Sequence, residues 1–162
     1  MADFDEIATS FWDDDLPGVQ PPLTEAMVRD AEQVLGVVLP GTLLALLRIQ
    51  NGGGVADARS AYPTGERTSW AADHVPFEYL MGIGRAEGRL SILDTPYLVE
   101  EWDLPAPVVL LTGDGHWWIA LDYRKPGEPS VTWLDADAEE ELALAPDFRS
   151  FVEALTPPPE DQ

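Results

Sequence analysis

Residues 113–124, GDGHWWIALDYR, place one histidine between two aspartates and next to a pair of tryptophans. His116 lies two residues after Asp114 and six before Asp122, beside Trp117 and Trp118. The stretch is either a catalytic or metal-binding cluster or a tight turn feeding a buried strand. Asp114-Gly115 sits between two apolar runs, a strong signal for a two-residue hairpin turn in which both central residues need positive φ. Past the turn, alternation sends Trp117, Ile119, Leu121 and Tyr123 to one face and Trp118, Ala120, Asp122 and Arg124 to the other. At ~3.3 Å per residue, Asp122 lies roughly 20 Å along the strand from His116. Groups that far apart share neither a proton nor a metal ion. The spacing predicts a hairpin, with a turn aspartate and a strand-edge histidine.

Working outward, FEYLMGIG (77–84), LSILD (90–94), PVVLLT (107–112) and SVTWLD (130–135) are further candidate strands, bounded by Gly, Pro and Asp. TPYLVEEWDLP (95–105) reads as a turn of helix or irregular chain. Trp117 and Trp133 are expected in the core. Residues 53–75 carry no clear periodicity, and a connection of that length is usually functional or mobile; Trp70 is expected to anchor it, with a contact residue as the alternative. Upstream, Thr24 caps a helix whose buried face runs through Met27, Ala31, Val34 and Leu35, and Gly36 ends it. A second helix carries leucines at 43, 44, 46 and 47, so it should be buried on most sides, and Asn51-Gly52 terminates it. At the far end Asp147 caps a helix that aligns Phe148, Phe151, Val152 and Leu155.

Phe4, Ile7, Ala8, Phe11 and Trp12 recur at helical spacing. Asp3 and Glu6 make a capping-box-like start, and Asp13–Asp15 followed by Pro17-Gly18 make a stop. This segment is either a short amphipathic helix leaning on the domain or a frayed tail. The fold class that follows is α+β: N-terminal helices and a C-terminal helix packed on a largely antiparallel, twisted sheet. The expected organisation is an acidic helix or arm over 1–22, one domain over 23–155, and a disordered tail over 156–162.

The 162 residues include 30 Asp and Glu against 9 Lys and Arg, a formal charge of −21. Such a field repels phosphate backbones and anionic lipid, which argues against nucleic-acid or membrane-surface binding, and it speeds encounter with a basic protein. The same acidity also serves solubility alone. Cysteine is absent, which removes disulfides and thiolate metal sites. The opening MADFDEIATS has neither a basic region nor an apolar run, and no stretch approaches the ~20 apolar residues of a membrane span. The expected location is the cytoplasm.

Catalytic patterns are hard to find. His74 and His116 are the two histidines, without HxxxH or HxH spacing, so no metal site is expected. DADAEEELALAP (135–146) starts like a calcium loop but lacks glycine at its sixth place and has Pro146 at its twelfth, so it reads as a solvated acidic loop. GIGRAEG (82–88) misplaces the last glycine of a dinucleotide fingerprint. Neither a phosphate loop nor a GxSxG elbow occurs. Carboxylate pairs such as Glu100-Glu101 are what chance supplies in so acidic a chain. The sequence predicts no enzyme, no catalytic residue and no cofactor.

The order of features resembles the SUKH superfamily, the Smi/Knr-type immunity protein family. The resemblance rests on Leu35-Gly36, Leu39-Pro40 and Asn51-Gly52-Gly53 around the two helices, on GDGHWWIALDYR, on SVTWLD, and on Ser150-Phe151 in the closing helix. It covers roughly residues 23–155; Gly41 departs from it, standing where a bulky residue usually follows the proline. The resemblance implies an α+β domain and an immunity protein that neutralises a cognate toxin, some of which are nucleases, by stoichiometric contact. It equally admits a scaffold or regulator with an endogenous protein partner. For a toxin with a basic surface, the expected contacts are acidic groups beside aromatics: Glu100, Glu101 and Trp102, Asp114 and His116 at the hairpin tip, and Trp118 with Asp122 on one strand face. For each, a solvated carboxylate or a sheet-packing ring is the plainer alternative.

Overall fold

The computed structural model describes residues 4–13, 19–86, 88 and 90–159. The helix start expected at Asp3 and the stop expected at Asp14, Asp15 and Pro17-Gly18 lie outside these residues, as do residues 160–162 of the expected tail. The described chain is α+β. It runs α1 (Phe4–Ser10), α2 (Glu25–Leu35), α3 (Gly41–Ile49), β1 (Gly53–Gly54), β2 (Ala61–Pro63), β3 (His74–Pro76) and β4 (Tyr79–Leu80). It continues with α4 (Thr95–Trp102), β5 (Val108–Gly113), β6 (Trp117–Asp122), β7 (Ser130–Asp135), β8 (Glu140–Ala145) and α5 (Phe148–Glu153). Strands β5-β6-β7-β8 form an antiparallel sheet in sequence order, and β1-β4 and β2-β3 form two short antiparallel pairs.

The helical signals act as their chemistry dictates. Thr24 accepts the Met27 N–H at 3.2 Å, and Gly36 closes α2 in the left-handed region. The buried face of α2 is rotated from the expected one: Val28 and Ala31 are buried, whereas Val34 is 42% exposed. Val28 and Ala31 are three apart and share a stripe with Leu35, and Val34 falls to its edge. In α3 all four leucines are buried. Burying a leucine or phenylalanine side chain contributes about 1.5–3 kcal/mol each, so this helix is held by packing rather than by caps.

Asn51 works differently from the expectation. It does not itself adopt positive φ; Gly52 (φ 95°) and Gly53 (φ 131°) do. Its side chain is buried, donating to the carbonyls of Pro21 (2.7 Å) and Ile83 (2.8 Å) and accepting the Ile83 N–H at 2.8 Å. One amide thus ties three chain segments together, and its loss would strand buried backbone groups.

Three further expectations are corrected. LSILD is not a strand: Ser91 accepts the Leu93 N–H, Asp94 accepts the Ser91 N–H, and Ile92–Asp94 form a 3-10 turn leading into α4. A capping box followed by Thr-Pro at a helix start outweighs a short apolar run. The acidic loop after Asp135 is short, because Glu140–Ala145 pair with β7 as an edge strand. FEYLMGIG contributes only Tyr79–Leu80, paired to Gly53–Gly54.

α1 belongs to the same core as the sheet, with Phe4, Ile7 and Phe11 buried. Trp12 donates to the Leu46 carbonyl at 3.2 Å and bridges to Val55. Beyond α5, Thr156 pairs with Ala61. Trp133 of β7 and Phe148 and Phe151 of α5 are fully buried, and Tyr62 stacks on Phe151 at 4.7 Å. Strand β6 is covered on both faces, with Trp118, Ile119, Ala120 and Leu121 all buried. Among the described residues no helix is long and apolar enough to cross a membrane.

Candidate functional site

The antiparallel order puts the β5–β6 turn and the β7–β8 turn at the same end of the sheet. Between the paired residues Gly113 and Trp118 lie residues 114–117, a wider loop than the two-residue turn expected. Only Gly115 takes positive φ, at 107°. Asp114 stays in ordinary backbone and instead accepts the N–H groups of His116 (2.9 Å) and Trp117 (3.2 Å) on its carboxylate. An aspartate that closes a turn with its side chain removes the need for a second left-handed residue.

The turn points His116 outward. Its Nδ1 lies 2.7 Å from Asp137 Oδ2, with both side chains more than half exposed. Its ring stands edge-on to Trp102 at 5.7 Å. The C-terminal end of α4, the β5–β6 turn and the β7–β8 turn therefore meet around one histidine. In the β7–β8 turn, Asp135 accepts the Ala138 N–H at 2.8 Å and the Ser69 hydroxyl. Glu140 accepts the Ser69 N–H and the Trp133 indole N–H, both at 2.9 Å. Trp70 then leans on Trp117 at 5.8 Å, and Trp117 stacks on Trp133 at 5.1 Å. A ladder of three indoles leads from the core to the surface.

The segments 100–103, 114–117 and 135–140 hold eight carboxylates and neither Lys nor Arg. Glu100, Glu101 and Asp103 crowd the C-terminal end of α4, where the helix dipole disfavours negative charge. Asp135 and Glu140 are engaged by N–H and O–H donors and Asp137 by His116, while Glu101, Asp103 and Glu139 lie exposed. This arrangement stores like-charge repulsion at one end of a rigid sheet. A cationic surface brought against it relieves that repulsion.

The expected contact residues divide accordingly. Glu100, Glu101, Trp102, Asp114 and His116 are brought together at this acidic end. Trp118 is a correction: it is 1% exposed, its ring lying across Gly113, and it offers nothing to a partner. Asp122 sits at the opposite end of β6. Arg124 donates to it from Nε (3.0 Å) and Nη2 (2.8 Å) and also pairs with Glu141. The hydrogen bonds from Arg124 hold the Asp122 carboxyl below its ordinary range, and the same pairings raise the arginine. Tyr123, beside them, donates to the Val38 carbonyl at 2.7 Å, and burial first, then Glu32 and Glu128, push its phenol up.

Sequence reasoning missed Asp103, Asp135, Asp137, Glu139 and Glu140 as members of the acidic end. The alternation of Leu142 and Leu144 after Glu140 was the signal: read as a strand, it returns the 135–140 turn to the side of the 113–117 turn.

Compared with known protein families, residues 22–154 match the SMI1 / KNR4 family (SUKH-1). Among curated proteins none matches, and among solved structures none matches. The family match spans most of the chain, so the chain belongs to the SMI1 / KNR4 family, whose members act in general by binding other proteins.

Proposed function

We propose that this SUKH-1 chain is an immunity protein: it neutralises a cognate toxin domain with a basic surface by stoichiometric contact through the acidic end of its sheet. The observation that carries the reading is the gathering of eight carboxylates, free of Lys and Arg, around His116 and Trp102 on a rigid frame. Family membership is consistent with it. The action is occupation rather than bond-making, so no group needs to be an acid, a base or a nucleophile. A toxin that grips nucleic acid presents lysines and arginines to phosphate, and carboxylates here compete for the same groups.

The physics sets the scale. Complementary charge lifts association from about 10⁵–10⁶ M⁻¹s⁻¹ toward 10⁸ M⁻¹s⁻¹ or more. Tight binding needs on the order of 1,600 Å² of buried surface and a few aromatic anchors. Trp102 and Trp70 are placed to serve as those anchors.

The test is co-expression with any toxin that a neighbouring gene encodes. Rescue of growth, with recovery of a one-to-one complex, supports the proposal. Failure to rescue, with capture only of endogenous proteins unconnected to any toxin, replaces it with the scaffold reading.

A further inference from the structure

We infer that the pocket bounded by Trp70, His74, Glu78 and Pro158 receives a single arginine side chain from the protein partner; this rests on the binding role proposed above and names one contact within it. The pocket encloses about 270 Å³ and is completed by Ser60, Ala61 and Pro76. That is below the ~300–1,000 Å³ of a small-molecule site, and it suits one long side chain inserted from a surface.

The local fold explains why these residues come together on one side of the β2–β3 pair. In the β2–β3 pair, Ala61 opposes Pro76 and Pro63 opposes His74, while Tyr62 opposes Val75. Alternation sends Tyr62 and Val75 into the core and puts Ala61, His74 and Pro76 on the opposite face, where they are buried as the floor of the pocket. The pairing of Thr156 with Ala61 brings Pro158 over the same face.

Trp70 forms a wall. It is 47% exposed yet held in place. Its N–H and that of Ala71 donate to the Thr68 hydroxyl at 3.1 and 3.3 Å, and Ser69 is fixed to Glu140. A large apolar ring presented in a fixed pose binds without a further ordering cost. It also joins the pocket to the acidic end, because its indole rests on Trp117.

The chemistry selects a cation. Among the described residues lining the pocket there is neither Lys nor Arg, and Glu78 is an exposed carboxylate. The exposed Asp73 carboxylate stands 3.1 Å from His74 Nδ1 and adds negative charge nearby. An indole face attracts a cation within ~6 Å of its centre. Pro76, Pro158 and Ala61 supply apolar surface for a methylene stem. Arginine fits better than lysine, because a planar guanidinium stacks on an indole and forks onto a carboxylate.

The experiment titrates the full-length, nitrogen-15-labelled protein with N-acetyl-argininamide and, separately, with uncharged N-acetyl-norleucinamide. The Trp70 indole N–H resonance is assigned by its loss in Trp70→Phe. The expected result is a saturable shift of that resonance with the arginine amide alone, weakened about two- to fivefold in Glu78→Gln. No shift, an equal response to norleucinamide, or an unchanged affinity in Glu78→Gln overturns the inference. Absent arginine binding in a protein that still neutralises its toxin removes this pocket and spares the acidic end. Arginine binding in a protein that rescues from no toxin does the reverse.

Discussion

At one end of the four-stranded sheet Arg124 holds Asp122 and Glu141 against itself, and at the other eight carboxylates share His116 as the single basic side chain of their segments. The first end carries the β6–β7 turn and the second the β5–β6 and β7–β8 turns, and both are rich in acid. The first is satisfied internally: its hydrogen bonds are made, and a partner has little to gain there. The second has its turns closed by N–H and O–H donors but keeps an excess of charge facing water. Charge count alone does not separate a binding surface from a structural one; what the carboxylates touch does.

The largest expected effect tests whether the acidic end stands on a rigid frame. A Cβ at Gly113 would lie 2.2 Å from Trp118 Cε3 and 2.5 Å from the Trp117 carbonyl. Neither the buried ring nor the backbone can yield. Gly113→Val should lower unfolding free energy by about 3 kcal/mol or more, read from the urea midpoint. Near-wild-type stability would mean that the turn and its indole ladder are soft.

Next comes charge. Reversing Glu101, Asp137 and Glu139 together to Lys should slow association with the toxin by about a hundredfold at low salt while changing the urea midpoint little. Substituting Arg124→Ala should do the opposite, lowering stability and leaving association alone. If both variants slow association equally, the contrast between the ends is lost.

A smaller effect belongs to the closed end. Asp122→Asn should cost about 1 kcal/mol at pH 7, since the pair is bidentate but partly exposed. The Asp122 carboxyl is lowered in the folded state, so its contribution is present above the ordinary carboxylate range and lost as pH falls through the lower folded value. The gap between wild type and Asp122→Asn should therefore close in acid, by thermal melts run from pH 7 down to pH about 2. A gap that widens in acid contradicts this assignment. Smallest of all, Arg48→Ala breaks an exposed pair with Glu25 and should change stability by about 0.5 kcal/mol or less.

Much of this was legible in the residues themselves. Thr24, the four leucines of α3, Asp147 and the period-two run after Gly115 each carry a local signal, and each became the element it announced. What stayed hidden depended on partners distant in sequence. Asn51 looked like a helix terminator, because only the folded chain brings Pro21 and Ile83 to its amide. Trp118 looked available because alternation assigns it a face without saying that the face is covered. The β7–β8 turn was missed because five acidic residues in seven masked the alternating leucines that follow them. Trp70, in a segment without periodicity, gave no sign that it would rest on Trp117.

The most direct measurement is a titration of the toxin's activity with this protein and with the Glu101→Lys, Asp137→Lys, Glu139→Lys variant. Stoichiometric occupation through the acidic end requires complete inhibition at one equivalent of wild type, weakening as salt rises, and little inhibition by the variant at that ratio. Full inactivation at a small fraction of an equivalent, or a variant that titrates like wild type, would contradict it.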